Sequence, residues 1–321
     1  MSDSREFRAA IFSNLGAAPE LIEPGRLQRF ATRDRRGDDA GFCKLFDDQR
    51  GGVYGCNRQY PGQVFTWFGL DRNRMTLSQR SALHRQVEQA RRDREVAQGV
   101  QWEVNAGRIA ALWSQCVAME ACDPVALYLG HRLRCEVSLV PECLRLHPAL
   151  PYRFEGENVG TWPAMVARLT APDGRLLALH RTWLTANGEK APTPGACKKL
   201  TPTAGALTGA CIRLGEPEAG QMGIAEGIET ALAARYASGV PTVAAYSAAT
   251  LAGWLWPSGL RRLVIFADAD PAGTACADKL RRRACLAGLS VDVMTPTTSG
   301  ADWCDVWAAG AVAPIAMERL A

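Results

Sequence analysis

"LVIFADADPAG", residues 263–273, sets four apolar residues directly against an alanine and two aspartates spaced i, i+2, then Pro, Ala and Gly. A run that is apolar at every position reads as a central strand covered on both faces, the habit of parallel sheets. Charge at the end of such a strand needs a reason, because a carboxylate buried without a partner costs several kcal/mol. On an extended backbone the i, i+2 spacing sends both aspartates to one side.

The flanking sequence has the same texture. Upstream lie the strand-like QMGIA (221–225) and PTVAAYS (241–247), each followed by an Ala-rich helical stretch, IETALAARYASG (228–239) and ATLAGWLW (249–256). Downstream lie the helical GTACADKLRRRACLAG (273–288) and the strand LSVDVMTP (289–296). Four strands separated by helices predict an α/β unit: a parallel four-stranded sheet with right-handed crossovers, flanked by helices.

Ligands of such sheets collect beyond the carboxyl ends of the strands. Acidic residues gather there three times: Glu226 in AEGIET (225–230), Asp268 and Asp270 in ADADPAG, and Asp302 with Asp305 in SGADWCDVW (299–307). Neither EGIET nor ADADPAG contains a basic residue. Ion pairing with arginines from elsewhere in the chain is one reading of these clusters. The other is a divalent cation: hard oxygen donors in this number suit Mg²⁺ or Mn²⁺.

EGIETALA, FADADPAG and GADWCD, in this order and at these intervals, resemble the Toprim domain, a metal-binding fold shared by bacterial-type primases, topoisomerases and several nucleases. The resemblance implies that Glu226 is a general acid/base or metal-organising group and that Asp268, Asp270 and Asp302 hold the divalent metal. Replicative primases place an aspartate four residues after the glutamate. Here that position is Thr230, and Glu229, one residue earlier, faces elsewhere on a helix.

Upstream of residue 216 the chain reads as three further regions. Residues 1–74 form a small β-rich module of short hairpins broken at DDQRGG and NRQYPGQ, with Tyr60, Trp67 and Phe68 as core or base-stacking residues. Its Cys43 and Cys56 are too far apart for a C-x2-C knuckle and no second Cys/His pair lies near, so no structural zinc is expected. Residues 75–135 read as helical. The arginine-rich stretch 71–98, with Arg72, Arg74, Arg80, Arg85, Arg91, Arg92 and Arg94, is either a solvated helix face or a basic arm for nucleic acid. Residues 136–215 read as a mixed α/β basic subdomain. In it AMVARLT (164–170) and RLLALHRTWLT (175–185) pair across the PDG turn, and Arg181, Lys198 and Lys199 are candidates for holding template or nucleotide. Residues 216–321 carry the Toprim-like motifs.

This order is similar to that of the primase-like proteins of phages, conjugative plasmids and integrated mobile elements, where a zinc-ribbon-like module and a basic subdomain precede Toprim; the first module here is a degenerate version. The resemblance implies a nucleotidyltransferase that makes short RNA primers on a single-stranded DNA template from ribonucleoside triphosphates. A Toprim nuclease and a non-catalytic single-stranded DNA-binding accessory protein are the alternatives. No G-x4-G-K-[ST] loop occurs, so unwinding would fall to a separate helicase or replication initiator.

Composition narrows the setting. The 321 residues carry a net charge of +4, which is mild for this length, so the placement of the arginines matters more than their sum. No apolar run approaches the roughly 18 residues that span a bilayer, and no signal-peptide h-region opens the chain. The expectation is a cytoplasmic protein without a membrane partner. Eleven cysteines, scattered and odd in number, predict reduced thiols rather than a disulfide framework.

Overall fold

Arg262–Phe266, the strand at the head of the quoted stretch, lies inside a nine-stranded sheet. The computed structural model describes residues 2–34, 38–60, 63–69, 76–135 and 141–310. The chain divides into two units, one of Met1–Val100 with Arg153–Glu157 and the other of Gln101–Tyr152 with Asn158–Ala321. The border at 74/75 read from the sequence falls outside the described residues, as do Arg72 and Arg74, and the border at 135/136 falls at the edge of a stretch, 136–140, outside them.

The first unit contains helix α1 (Ser2–Leu15) and strands β1 (Gln28–Phe30), β2 (Gly41–Leu45), β3 (Gly51–Cys56) and β4 (Phe65–Phe68), paired antiparallel in that order. The first part of helix α2 (Leu77–Ser114) also belongs to it. The hairpins match the sequence reading, but α1 is an element that reading lacked. Phe7, Ile11 and Leu15, four residues apart, form one buried stripe against the sheet, where they are at most 3% exposed. Phe7 sits directly on Gly52, whose missing Cβ would stand 2.7 Å from the ring. Cys43 and Cys56 are buried in this core, and Tyr60 and Trp67 pack against it.

The second unit contains the rest of α2, helix α3 (Pro124–Leu133) and, apart from residues 153–157, strands β5 (Leu144–Phe154) and β6 (Glu157–Thr170), with β7 (Leu176–Trp183), β8 (Lys198–Leu200) and β9 (Cys211–Ile212). Then come β10 (Gln221–Ala225), α4 (Ile228–Ser238), β11 (Thr242–Ala244), α5 (Ala248–Gly253), β12 (Arg262–Phe266), α6 (Pro271–Leu286), β13 (Ser290–Met294) and α7 (Trp303–Ala308). The strand order is β13-β12-β10-β11-β9-β6-β7-β8, with β5 on β6. β11, β10, β12 and β13 are parallel, as the alternating pattern predicts. The sheet continues beyond them: β9 runs antiparallel to both β11 and β6, joining the parallel strands to the β6–β7 hairpin.

The apolar run in β12 follows from this placement. Val264 and Phe266 pack on the side of α3, α4 and α7, while Leu263 and Ile265 pack with Ala277, Leu280 and Ala284 of α6. Alanines along α4 let that helix lie close to the sheet, with Ala231, Ala233 and Ala234 at most 1% exposed. No helix among the described residues is long and apolar enough to cross a membrane.

Candidate active site at the carboxyl ends of the parallel strands

Each acidic cluster stands where a parallel strand or its following loop gives way to a helix. Glu226 follows β10 and precedes Gly227, the N-cap of α4. Asp268 and Asp270 follow β12, and Asp270 is the N-cap of α6, its Oδ1 accepting the Gly273 N–H at 2.7 Å, with Pro271 in the first helical turn. Asp302 caps α7 in a capping box: its Oδ1 accepts the Asp305 N–H at 2.8 Å, and the Asp305 carboxylate accepts the Asp302 N–H. Two of the three clusters therefore hold helix ends in place.

Asp268 has no such task. Its Oδ1 is buried and without a hydrogen-bond partner. Burial pushes its pKa up to about 7, and the charges of Glu226, Asp302, Asp270 and Asp305 add to the shift. Glu226 is raised as well, by burial first and by Asp270, against a hydrogen bond from the Ala248 backbone. Gly273 permits the close turn, since a Cβ there would lie 2.8 Å from the Asp268 carbonyl oxygen. These carboxylates thus crowd one another with one oxygen unsatisfied. That donor set fits a hard divalent cation in kind. Among the described residues no three His, Cys, Asp or Glu side chains already converge as a coordination shell, so holding a cation would require them to turn inward.

The nearby cations come from upstream elements. Arg132, in the last turn of α3, stands 3.8 Å from Asp305. Lys198 Nζ, on β8, donates to Glu229 Oε1 at 2.7 Å, and the Tyr128 hydroxyl of α3 donates to the same oxygen. Burial would raise the Glu229 pKa, but Lys198 and Tyr128 outweigh it and hold the carboxylate down at about 2. His180, on β7, is pushed down to about 4, chiefly by burial.

Residues 221–312 match the model of the Toprim domain, and residues 103–214 match a domain of unknown function, DUF7146. The C-terminal part of this chain is a Toprim domain. No curated protein matches the chain. Among solved structures it is similar to the primase fragment of the bacteriophage T7 primase-helicase protein, at 14% identity and a TM-score of 0.34, over 46% of this chain and 59% of that one. It is also similar to the RNA polymerase domain of the Mycobacterium tuberculosis primase, at 19% and 0.38, over 64% and 77%. A third is the Aquifex aeolicus primase, zinc-binding and RNA polymerase domains, at 13% and 0.38, over 95% and 82%.

Glu226, Asp268, Asp270 and Asp302 meet at one end of the Toprim sheet. The basic candidates do not form one group with them. Neighbouring residues on a strand point to opposite faces, so Lys198 reaches Glu229 while Lys199 lies over the Tyr152 ring, 3.6 Å from its centroid. Arg181, opposite Lys199 in the ladder, is half-buried: its guanidinium donates to the Leu200 carbonyl and lies 5.0 Å from the Trp183 ring. Burial lowers its pKa to about 10. Arg91, Arg92 and Arg94 belong to the first unit, where Arg91 pairs with Glu95 at 3.0 Å and Arg94 lies 5.3 Å from the Phe42 ring.

Tyr128 and Arg132 were absent from the sequence reading. Their signal is the i, i+4 spacing in PVALYLGHRL, a helix announced by Asp123, which caps it, and Pro124.

Proposed function

We propose that this chain is a primase-like nucleotidyltransferase that joins ribonucleotides into short RNA primers on single-stranded DNA. The observation that carries the reading is Asp268, a half-buried carboxylate with one buried, unpartnered oxygen among four more carboxylates at the carboxyl ends of the strands of a Toprim domain. Asp268 and Asp302 would hold the divalent ion, with the second oxygen of Asp270 and the carboxylate of Glu226 turned toward it. A bound Mg²⁺ or Mn²⁺ supplies charge neutralisation for a triphosphate undergoing in-line displacement. Glu226, its pKa raised, is the group suited to take the proton of the attacking hydroxyl. Arg132 puts positive charge beside the acidic row, and Lys198 stands behind it on Glu229, where phosphates would be held.

The template, the ribonucleoside triphosphates, a separate helicase or initiator and a setting in mobile-element replication follow from the primase resemblance. Incubating the protein with single-stranded DNA, labelled ribonucleotides and Mg²⁺ or Mn²⁺ tests the reading. New short oligonucleotides support it, whereas shortened template with no new product replaces it with a nuclease.

A further inference from the structure

Tyr128, Glu229 and Lys198 come from α3, α4 and β8 and meet at a single oxygen, Glu229 Oε1. Tyr128 and Glu229 are 3% and 4% exposed, whereas the Lys198 side chain is 37% exposed. The anion is sealed in and the cation is at the surface. A buried ion pair is a poor device for stability alone, since apolar residues of similar volume often do as well. It does fix where an ammonium stands. The Tyr128 hydroxyl, held protonated by burial and by the adjacent Glu229 charge, supplies a second hydrogen bond to the carboxylate. Among the described residues Lys198 donates to Glu229, which leaves two of its three N–H groups for another acceptor.

The position of this group gives those donors a target. Glu229 lies three residues after Glu226 in the same strand-to-helix turn. Arg132, one helical turn after Tyr128, is near both Glu229 and Asp302 and stands 3.8 Å from Asp305. Arg132 therefore stands against the row of carboxylates and shares the surroundings of Glu229 with Lys198. We propose that Glu229, braced by Tyr128, is a positioning residue that holds the Lys198 ammonium beside the carboxylate site, where its free N–H groups take a phosphate of the incoming nucleoside triphosphate. The proposal rests on the nucleotidyl-transfer reading above. Thr230, where replicative primases place an acid, leaves Glu229 as the acidic residue of this turn after Glu226, and its task is to orient a cation rather than to bind one.

The test is a double-mutant cycle on the full chain with Lys198→Met, the nearly isosteric Glu229→Gln, and both together; Tyr128→Phe serves as a milder perturbation of the same carboxylate. Two quantities are measured: the Kd of a labelled, non-hydrolysable ribonucleoside triphosphate, and the KM and kcat of primer synthesis. Each single substitution at Lys198 or Glu229 should raise Kd and KM about tenfold, the scale of one charge-assisted hydrogen bond, with kcat within about twofold. Tyr128→Phe should give a smaller rise of the same kind. The double variant should be no worse than Lys198→Met. Effects that multiply in the double variant, or a Glu229→Gln protein with lowered Tm and unchanged Kd, would overturn the positioning role. If the unaltered protein neither binds nucleotide nor makes primers, the nucleotidyl-transfer reading fails and this proposal with it; an active protein indifferent to Glu229→Gln removes this proposal alone.

Discussion

Asp270 Oδ1 accepts the backbone N–H of Gly273 at 2.7 Å, so the second aspartate of the DxD pair holds the start of α6 while the first leaves an oxygen unsatisfied. The two residues have different tasks, and substitution separates them. Asn caps a helix about as well as Asp, whereas Ala loses about 1 kcal/mol. Asp270→Asn should therefore keep the wild-type Tm and Asp270→Ala should lower it by several degrees, with primer synthesis reduced in both. A normal Tm for the Ala variant in thermal unfolding would show that the cap contributes nothing.

Asp268 carries a stability cost that depends on pH. Its native pKa of about 7 lies above the ordinary carboxylate value. Between roughly pH 4 and pH 7 the folded protein keeps a proton that the unfolded chain has released, so this group destabilises the fold progressively as pH rises through that window. Asp268→Asn removes the effect. The variant should match the wild type near pH 4 and melt higher at pH 8, while losing catalysis, and added Mg²⁺ should raise the wild-type Tm more than the variant's. Equal melting curves at pH 8 would contradict the crowding of carboxylates around Asp268.

The arginines of α2 make a claim about salt. Arg91 and Arg92 are exposed, and Arg91 pairs with Glu95 one turn on; such surface pairs hold weakly and release easily to a phosphate. Neutralising Arg91, Arg92 and Arg94 together should weaken single-stranded DNA binding and flatten its dependence on log salt by about 0.7 per lost contact. Fluorescence anisotropy across a salt series measures the slope, and an unchanged slope would make this a solvated helix face.

The carboxylate end of the sheet was legible because its signals are local. Leu263–Phe266 is apolar throughout since both faces of β12 are covered, Glu226 and Asp268 follow their strand ends within two residues, and Asp270 and Asp302 cap the helices that come next. What was not legible depends on distance in the chain. Lys198 and Glu229 are 31 residues apart, and their strands stand far apart in the sheet: β8 is an edge strand separated from β10, which leads into α4, by β11, β9, β6 and β7. Lys198 and Lys199 look like one basic site in the sequence, yet strand alternation sends them to opposite faces. Helix α1 is hard to read for another reason: its buried stripe is three residues, Phe7, Ile11 and Leu15, and the exposed Phe12 beside Ile11 blurs the helical spacing.

Glu226 is where base catalysis and metal binding can be told apart. Its carboxylate stands at the end of β10, raised in pKa by burial and by Asp270, while a hydrogen bond from the Ala248 backbone opposes the rise. A raised pKa brings a carboxylate nearer the working pH and makes it a better proton acceptor, and a nearby divalent ion pulls it back down. If Glu226 takes the proton of the attacking hydroxyl, Glu226→Gln should leave DNA affinity and divalent-metal affinity within about twofold and lower the rate at least about 100-fold, the usual scale of lost general acid/base help. The acidic limb of the pH–rate profile should vanish with it, since Gln does not titrate. Calorimetry of Mn²⁺ binding alongside turnover decides the matter: metal affinity lost together with rate makes Glu226 a ligand, and full turnover with an unchanged pH profile takes it out of the mechanism, because a residue that moves a proton in the rate-limiting step leaves its titration in the rate.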